Sequence, residues 1–292
     1  MTTRILNYGS LNIDQRYRVP HFARPGETLH STGYRRSAGG KGLNQSLALA
    51  YAGAAVSHAG KVGPDGWFLV EMLQEAGVNT DAIVVANELA TGHAIIQVDD
   101  AGENSIVLHA GANHAIEPRE IAATLAGVHA GDILLLQNEI NHAETILHEA
   151  RARGARVAMN PAPMTPDVER LPLVDLALLI VNSHEGRQPT GEDDPTRALR
   201  ALQDRCPQTA IVLTRGSDGA HYVDSSVALY EPAPRVVASD TTGAGDTFVG
   251  YLLAVLSRGG TAREALELAT PAAAVCFTRP GAADAIPRLD EI

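Results

Sequence analysis

The stretch Asp240-Thr-Thr-Gly-Ala-Gly-Asp246-Thr-Phe-Val-Gly250 predicts a glycine-rich turn that leads directly into a helix. The first amide groups of a helix have no intrahelical acceptor, so those of Gly243, Ala244 and Gly245 can bind an anion. The carboxylate of Asp246 follows in the first helical turn. A carboxylate base beside free N–H groups suits the transfer of a phosphoryl group to a hydroxyl.

The composition of the 292 residues limits the kinds of protein that the chain can be. A net charge of −11 argues against a protein that coats nucleic acid. The two cysteines, Cys206 and Cys276, match no metal-binding spacing and indicate no disulfide framework. No apolar run has the length of a membrane span, and the N-terminus reads directly into a strand without a signal-peptide pattern. We therefore expect a cytoplasmic protein with no nucleic-acid or membrane partner.

Strand-like and helix-like segments alternate along the chain, which predicts an α/β fold: a doubly wound, mostly parallel sheet with helices on both faces. Several strand-like segments are short apolar runs, as in strands that are buried on both faces of a parallel sheet. The predicted strands are Ile5–Gly9, Val56–Val62, Asp132–Gln137, Arg156–Asn160, Leu176–Asn182 and Ala210–Thr214. The predicted helices are Lys41–Ala52, Gly66–Gly77, Ala143–Arg153, Pro195–Arg205, Gly245–Ser257 and Ala262–Thr278.

Two stretches, residues 14–37 and 93–109, interrupt this alternation with alternating polar and apolar residues. Turn residues at Pro25-Gly26 and Asp100-Ala-Gly102 divide them, so we predict antiparallel strands with one exposed face. Strands inserted after the carboxyl end of a sheet strand lie over the ligand crevice. The sequence therefore predicts a single domain over residues 1–292, with a small antiparallel β lid formed by the two insertions.

A second polar cluster lies near the N-terminus. Asn12 and Asp14 follow the first strand, and Gly40, Lys41 and Asn44 lie at the start of the first long helix. The chain lacks the GxxxxGK[ST] loop of many ATPases. A carboxylate can accept two neighbouring hydroxyls, an amide side chain both donates and accepts, and an ammonium donates. This chemistry suits a polyol.

Taken together, these motifs resemble those of the ribokinase-like sugar kinases in the PfkB carbohydrate kinase family. The resemblance covers nearly the whole chain and has two signature regions, Gly39–Gln45 and the run around Asp246. It implies an enzyme that transfers the γ-phosphoryl group of ATP to the primary hydroxyl of a sugar, with D-ribose as the expected acceptor and ribose 5-phosphate as the product. The other matching motifs are His109-Ala-Gly-Ala-Asn113, Asn160-Pro-Ala-Pro163, Asn182-Ser-His-Glu185, Leu213-Thr-Arg-Gly216 and Thr278-Arg-Pro-Gly-Ala282.

The resemblance also implies roles for individual residues. Asp246 would be the catalytic base, and the amides of Gly243, Ala244 and Gly245 would form the anion hole. The residues implied to contact ribose are Asn12, Asp14, Gly40, Lys41, Asn44 and Glu139, with Ala94, Ile96 and Leu108 of the lid on the apolar side of the sugar. The residues implied to contact the nucleotide are Asn182, Thr214 and Gly216.

Two metal cofactors follow from the same resemblance. Glu185 would act on Mg²⁺ and the phosphates, largely through water. A monovalent cation, usually K⁺, would bind beside the anion hole, mostly through backbone carbonyl groups. The positions implied for it are Asp240, Thr242, Cys276, Arg279 and Gly281. The chain has Ala285 where related sequences often carry a serine near the last of these ligands, and Thr270 where they commonly place a histidine near adenine.

Other functions stay open at this point, including a kinase for another sugar. A nucleoside kinase needs lid aromatics that stack on a base, and the lid offers Tyr17, Phe22 and Tyr34. A sugar-phosphate kinase needs cations for the acceptor's phosphate. The lid arginines are Arg16, Arg18, Arg24, Arg35 and Arg36. A non-catalytic sugar-binding regulator would need neither Asp246 nor Glu185. Because such kinases commonly dimerise through their lids, we expect a homodimer.

Overall fold

Strands and helices alternate along residues 3–292, the part of the chain that the computed structural model describes. No helix in this range is long and apolar enough to cross a membrane. The strands are β1 (Ile5–Tyr8), β2 (Asn12–Arg18), β3 (Gly33–Gly39), β4 (Val56–Val62), β5 (Asn79–Val85), β6 (Gly92–Val98), β7 (Asn104–His109), β8 (Ile133–Gln137), β9 (Arg156–Asn160), β10 (Leu178–Asn182), β11 (Ala210–Thr214), β12 (Ala220–Val223) and β13 (Ala228–Glu231). The α-helices are α1 (Lys41–Tyr51), α2 (Trp67–Glu75), α3 (Pro118–Leu125), α4 (Ala143–Ala152), α5 (Ser183–Thr190), α6 (Pro195–Arg205), α7 (Ala244–Ser257) and α8 (Ala262–Phe277).

Nine strands form one large sheet in the order β13-β12-β11-β10-β9-β8-β1-β4-β5. From β11 to β5 each strand is parallel to its neighbours, whereas the hairpin of β12 and β13 is antiparallel. The predicted doubly wound, mostly parallel sheet is therefore confirmed. Along the chain, β4 and β5 are added on one side of β1, and the strands from β8 onward are then added on its other side. The strand order therefore reverses between β1 and β8. The carboxyl ends of strands diverge at such a reversal and leave a crevice that can bind a ligand.

The large sheet is covered by helices on both faces because its central strands are apolar on both sides. All five residues of β8 are buried. Ile133 and Leu135 pack in a core with apolar residues of α1, α2, α7 and α8, whereas Leu134 and Leu136 pack in a second core with those of α3, α4 and α6. Alternate residues of a strand point to opposite faces, so the sheet separates two cores.

A separate four-stranded sheet has the order β3-β2-β6-β7. Its outer pairs, β2 with β3 and β6 with β7, are antiparallel, and β2 pairs with β6 in parallel over the whole of both strands. The first pair lies before α1, and the second lies between β5 and α3. Hydrogen bonds between β2 and β6 thus join the two predicted lid insertions into one sheet.

The predicted strands and helices of the large sheet are present, with ends shifted by one or two residues. Elements that the sequence patterns did not reveal are β5, β12, β13, α3 and α5. Helix α5 has eight residues and contains Pro189, and α3 begins after Glu117, which is an unusual N-cap residue. The sequence signal that both helices do carry is a capping box, in which the third helical residue bonds back to the N-cap residue. That third residue is Glu120 in α3 and Glu185 in α5.

Helices α1 and α7 pack closely because Gly250 lacks a side chain. A Cβ atom at this position would lie 2.3 Å from the Cβ of Ala48 and 2.8 Å from the backbone nitrogen of Leu49. Both distances are shorter than van der Waals contact, so any larger residue must separate the two helices. The same pair of helices carries Asn44 and Asp246, which brings the two signature regions of the sequence together.

We predict that Gly250→Ala lowers the free energy of unfolding by about 1–3 kcal/mol, because overpacking forces backbone shifts. Thermal or denaturant unfolding of the purified protein measures this change. Gly127→Ala is the matched control, since a Cβ at Gly127 would have its nearest neighbour, the carbonyl oxygen of Thr124, at 3.8 Å. Equal stability of the Gly250 variant and the control would show that the contact between the helices is not tight.

Candidate active site

The turn before α7 presents free amide groups next to a carboxyl group. Gly243 is the N-cap of α7 and has left-handed backbone geometry (φ 81°), and a Cβ there would crowd the backbone of Ala282. Among residues 3–292, the N–H groups of Gly243, Ala244 and Gly245 find no hydrogen-bond acceptor, and neither does that of Asp246. Amides at a helix N-terminus also lie at the positive end of the helix dipole. The turn is therefore a place where an anion can bind within reach of Asp246.

Asp246 is only 7% exposed and is held by two side chains of α1. Asn44 Nδ2 donates to its Oδ2 at 2.9 Å, and Gln45 Nε2 donates to its Oδ1 at 2.9 Å. One amide thus holds each oxygen and fixes the orientation of the carboxyl group. Within the described part of the chain, the buried Oδ1 of Asn44 has no hydrogen-bond partner. Because Asn44 lines the adjacent cavity, this acceptor suits a hydroxyl group of a bound ligand.

A cavity of about 470 Å³ opens beside Asp246, between the carboxyl ends of the large sheet and the small sheet. The structure brings together in its lining all nine residues that the resemblance assigns to the sugar: Asn12, Asp14, Gly40, Lys41, Asn44, Ala94, Ile96, Leu108 and Glu139. The lining combines charged and amide groups with aliphatic side chains of β6 and β7. Such a mixture suits a ligand that has hydroxyl groups as well as C–H surface.

Asp14 and Glu139 are neighbouring carboxyl groups in this cavity. Burial and the charge of Glu139 raise the pKa of Asp14 to about 6, against the effect of Arg16. Glu139 Oε2 accepts hydrogen bonds from Ser10 Oγ and from the backbone N–H of Lys41, the latter at 3.0 Å. Burial nevertheless raises the pKa of Glu139. Asp14 therefore changes near pH 6 from a neutral group to a carboxylate that can accept hydrogen bonds from two hydroxyls.

Lys41 provides a positive charge among the carboxyl groups of the cavity. Burial alone would lower its pKa, but the charges of Asp246, Glu139 and Glu185 outweigh this effect and raise the pKa. The ammonium group therefore stays protonated at physiological pH. It can donate hydrogen bonds to a hydroxyl or to a phosphoryl oxygen.

A second cavity, of about 410 Å³, adjoins the first. Thr214 and Gly245 line both cavities, so the two spaces meet between the end of β11 and the first turn of α7. Of the predicted nucleotide contacts, Gly216 lies in the second cavity with Thr214, whereas Asn182 lies in the first. The second cavity is mostly apolar and suits a nucleobase. The buried hydroxyl of Thr270 lies in its wall, with no hydrogen-bond partner in residues 3–292.

Asn182 and Glu185 cap the N-terminus of α5 reciprocally. The Glu185 N–H donates to Asn182 Oδ1 at 2.8 Å, and the Asn182 N–H donates to Glu185 Oε2 at 3.0 Å. Burial raises the pKa of Glu185, and the bond from Asn182 and the charge of Lys41 oppose the rise. Both side chains line the cavity that contains Asp246.

The residues around Glu185 fit a magnesium ion that is bound together with phosphates. Mg²⁺ prefers oxygen ligands, keeps several waters and needs only one or two carboxylates beside substrate phosphates. Glu185 and Asp246 supply carboxyl oxygens to the same cavity. Among residues 3–292, with the side chain of Glu169 left aside, no group of three or more His, Cys, Asp or Glu side chains could hold a metal.

The segments predicted to hold a monovalent cation lie against each other. Asp240 Oδ1 accepts from Thr242 Oγ1 at 2.6 Å and from its N–H at 3.0 Å, and Asp240 Oδ2 accepts from the Gly281 N–H at 3.1 Å. The Cys276 thiol lies 3.8 Å from the Thr242 carbonyl oxygen. Burial would raise the pKa of Asp240, but these bonds lower it overall. The Asp240 carboxylate and the Thr242 carbonyl oxygen are hard oxygen ligands that suit such a cation, whereas the side chain of Arg279 is bonded to Glu291 at 2.7 Å.

The sequence patterns gave no role to Gln45, although it belongs to the first signature region. They named Arg16 and Arg35 only among the lid arginines that a sugar-phosphate acceptor would need, and the structure places both in the lining of the first cavity. Arg35 is paired with Asp284 at 2.6 Å, which no sequence spacing could reveal. A wider groove of about 600 Å³ runs along β5 and α3 but contains none of the predicted site residues.

The sequence as a whole places the chain among known kinases. Residues 2–289 match the pfkB family carbohydrate kinases. The chain therefore belongs to the pfkB family of carbohydrate kinases. It is 34% identical to the ribokinase of Schizosaccharomyces pombe, over 99% of this chain and 96% of that protein.

Solved structures agree with this assignment. The ribokinase of Cryptococcus neoformans in complex with ADP is 35% identical and has a TM-score of 0.88, over 99% of this chain and 98% of the other. The ribokinase of Arabidopsis thaliana, complexed with ribose and ATP, is 26% identical and has a TM-score of 0.89, over 99% of this chain and 97% of the other. The large sheet with a separate small sheet is thus the architecture that these enzymes share with the chain.

Proposed function

We propose that the protein transfers the γ-phosphoryl group of ATP to the primary hydroxyl of D-ribose and releases ADP and ribose 5-phosphate. The observation that carries the proposal is that Asp246 lines the first cavity directly after Gly245, where the mostly apolar second cavity joins the first beside free amides. The similarity to ribokinases along the whole chain supports ribose as the acceptor. The proposal includes a cytoplasmic location.

The proposed mechanism uses Asp246 as the base. A sugar hydroxyl is a much weaker acid than a carboxylic acid, so its proton leaves late, as the bond to phosphorus forms in a loose transition state. The amides of Gly243, Ala244 and Gly245 donate to the transferred group, where negative charge is spread over its oxygens. Lys41 adds a positive charge in the same cavity.

The sugar lies, in this proposal, between Asp14 and the aliphatic side chains of the small sheet. Asp14 accepts two hydroxyl hydrogen bonds, and Asn12 and Asn44 add further partners. Ala94, Ile96 and Leu108 cover the apolar side of the ring. Closure of the small sheet would exclude water, which otherwise competes as the phosphoryl acceptor.

The two metal ions belong to the proposal as cofactors. Mg²⁺, held by phosphates and by Glu185 through water, would neutralise phosphate charge. The monovalent cation would lie at the loops of Asp240–Thr242 and Cys276–Gly281 and keep the anion turn in place. Asp240, with its lowered pKa, supplies the negative charge of that site.

The contacts of the small sheet favour a sugar over the other acceptors. Arg35 is paired with Asp284, and Arg16 lies 3.9 Å from Asp240, so carboxylates already compensate both arginines that line the cavity. A phosphorylated sugar would have to compete for them. Tyr17 and Tyr34 pack against each other, with ring centroids 5.0 Å apart and the ring planes tilted by 40°. Neither lines the cavity, so neither is placed to stack on a nucleoside base.

We also propose that the protein is a homodimer through the small sheet. The side chains of Tyr34, Ile95 and Val107 do not line the cavity and are at least 38% exposed. Every residue of the edge strand β7 is exposed. An open edge strand and exposed apolar residues on one face suit association with a second copy.

Initial rates of ADP release test the proposed function. With ATP and Mg²⁺, we expect turnover to be highest with ribose in a panel that also contains deoxyribose, fructose, nucleosides and sugar phosphates. Asp246→Asn should lower kcat about a hundredfold or more and leave sugar and ATP binding nearly unchanged, because it removes the base and keeps the shape. Turnover restricted to another acceptor would reject ribose, and a fully active Asn variant would reject Asp246 as the base.

A second prediction follows from the pKa of Asp14, which is raised to about 6. As the pH falls through 6, the carboxylate takes up a proton and loses part of its capacity to accept hydroxyl groups. We expect the KM for ribose to rise below pH 6, while the KM for ATP stays nearly constant. The Asp14→Asn variant should bind ribose weakly at every pH, and its KM for ribose should not rise further as the pH falls. A ribose KM that stays flat between pH 7 and 5 in the wild type would contradict the placement of ribose on Asp14.

Potassium dependence gives a third prediction. We expect K⁺ to raise kcat in a titration at constant ionic strength, and Li⁺, too small for a cage of carbonyl groups, to have little effect. Ala285 should weaken the affinity for the ion without abolishing activation, so Ala285→Ser should lower the K⁺ concentration needed for half-maximal activation. A rate that does not respond to K⁺, starting from a baseline free of Na⁺ and K⁺, would show that the site does not operate here.

A further inference from the structure

Gln45 is a fully buried residue that the proposed mechanism does not use, although it contacts the proposed base. Its Nε2 donates to Asp246 Oδ1 at 2.9 Å and to Asn160 Oδ1 at 3.1 Å. Its Oε1 accepts from Gln137 Nε2 at 2.7 Å. Both amide hydrogens and the carbonyl oxygen are therefore bonded, and the side chain has a single orientation in which every group is satisfied.

The neighbours of Gln45 fix which way each amide points. Asn160 Nδ2 donates to the carbonyl oxygen of Ile180 at 3.0 Å, so the oxygen of Asn160 is turned toward Gln45. A carboxylate only accepts hydrogen bonds, so Gln45 must present its NH₂ group to Asp246. The oxygen of Gln45 is left for Gln137, which donates to it.

The hydrogen bonds continue away from the cavity into the core. Gln137 Nε2 also donates to Asn7 Oδ1 at 2.9 Å, and Asn7 Nδ2 donates to Ser46 Oγ at 2.8 Å. Ser46 is bonded in turn to His58 Nδ1 at 2.8 Å. Burial lowers the pKa of His58 to about 4, so the ring is neutral near pH 7 and its Nδ1 can accept a hydrogen bond from the serine hydroxyl. These residues, buried on β1, β4, β8 and α1, form a continuous support behind Gln45.

The two oxygens of Asp246 therefore have different surroundings. Asn44, the partner of Oδ2, lines the substrate cavity, whereas Gln45, the partner of Oδ1, is fully buried and is not part of the cavity wall. Oδ1 therefore lies on the side of the protein interior, and Oδ2 lies on the side of the substrate cavity. An incoming hydroxyl can meet Oδ2 without disturbing the bond that Gln45 makes to Oδ1.

We propose that Gln45 is a positioning residue for catalysis, which anchors Asp246 Oδ1 so that Oδ2 faces the acceptor hydroxyl and takes its proton. The proposal rests on the proposed phosphoryl transfer. Gln45 touches neither substrate in this arrangement. Its loss should therefore change turnover and not the binding of sugar or ATP.

Gln45→Met tests this role because methionine has a similar size but donates no hydrogen bond. We expect kcat to fall about 10- to 100-fold, since a misplaced catalytic group costs rate in this range. The KM values for ribose and ATP should stay within about threefold of the wild type. The dissociation constant of the sugar, measured by calorimetry, should likewise stay close to that of the wild type. A raised KM with an unchanged kcat would overturn the proposal.

Gln45→Glu gives a second readout that a purely structural role would not produce. The new carboxyl group can donate to Asp246 Oδ1 only while it carries a proton, and two adjacent carboxylates repel each other. The kcat of this variant should therefore rise as the pH is lowered from 8 toward 6, opposite to the loss expected when a catalytic base is protonated. A kcat profile parallel to that of the wild type would contradict the assignment.

Gln137→Met is the matched control. It removes an equally buried amide of the same network, but Asn160 and Asp246 still orient Gln45. We expect a loss of thermal stability similar to that of Gln45→Met, with kcat within about threefold of the wild type. If both methionine variants lose kcat in proportion to their loss of stability, Gln45 has only a structural role.

The wild-type acceptor panel separates a failure of this proposal from a failure of the proposed function. If the wild type phosphorylates a sugar other than ribose, ribose kinase activity is rejected, and the ratio of variant to wild-type kcat with that sugar still decides the role of Gln45. If the wild type phosphorylates no acceptor, both proposals are rejected.

Discussion

The close packing of α1 against α7 is the constraint on which the rest of the site depends. Gly250 permits this packing, and only at this distance do two neighbouring side chains of α1 reach the carboxyl group of Asp246. The same contact fixes the start of α7, and with it the direction of the free amides before Asp246. A change of an ångström between the helices would move Asp246, the turn before it and the cavity wall at the same time. The position of the proposed base is thus set by helix packing in the core.

Much of the fold follows from short sequence signals. The apolar runs of the central strands and the glycines at helix ends predict the doubly wound sheet, and the polar interruptions predict the small sheet. The parallel pairing of β2 with β6 was beyond prediction, because it joins strands about eighty residues apart in the sequence and has no local signal. The hairpin of β12 and β13 was missed for a related reason, since four-residue strands carry too little periodicity to distinguish them from turns.

The candidate site was predictable to the extent that its residues lie in motifs. The nine residues that the resemblance assigned to the sugar all line the first cavity, but the contacts between different motifs do not follow from the sequence. The bond from Gln45 to Asp246 joins residues about two hundred positions apart, and the pair of Arg35 and Asp284 joins the small sheet to the C-terminal segment. The meeting of the two cavities at Thr214 and Gly245 is likewise a property of the folded chain. In the proposed reaction it would give the donor and the acceptor one shared boundary at the start of α7.

The reciprocal cap of Asn182 and Glu185 restricts how this enzyme can vary. A substitution of Glu185 changes the charge of the cavity and also removes one of the two bonds that close the N-terminus of α5. The loss of a cap costs a helix about 0.5–2 kcal/mol. A natural variant at Glu185 therefore loses stability of α5 as well as a charge in the cavity. A relative that no longer needed the carboxylate for its chemistry would still be selected to keep it for stability. Retention of Glu185 among relatives is for this reason a weak indicator of activity.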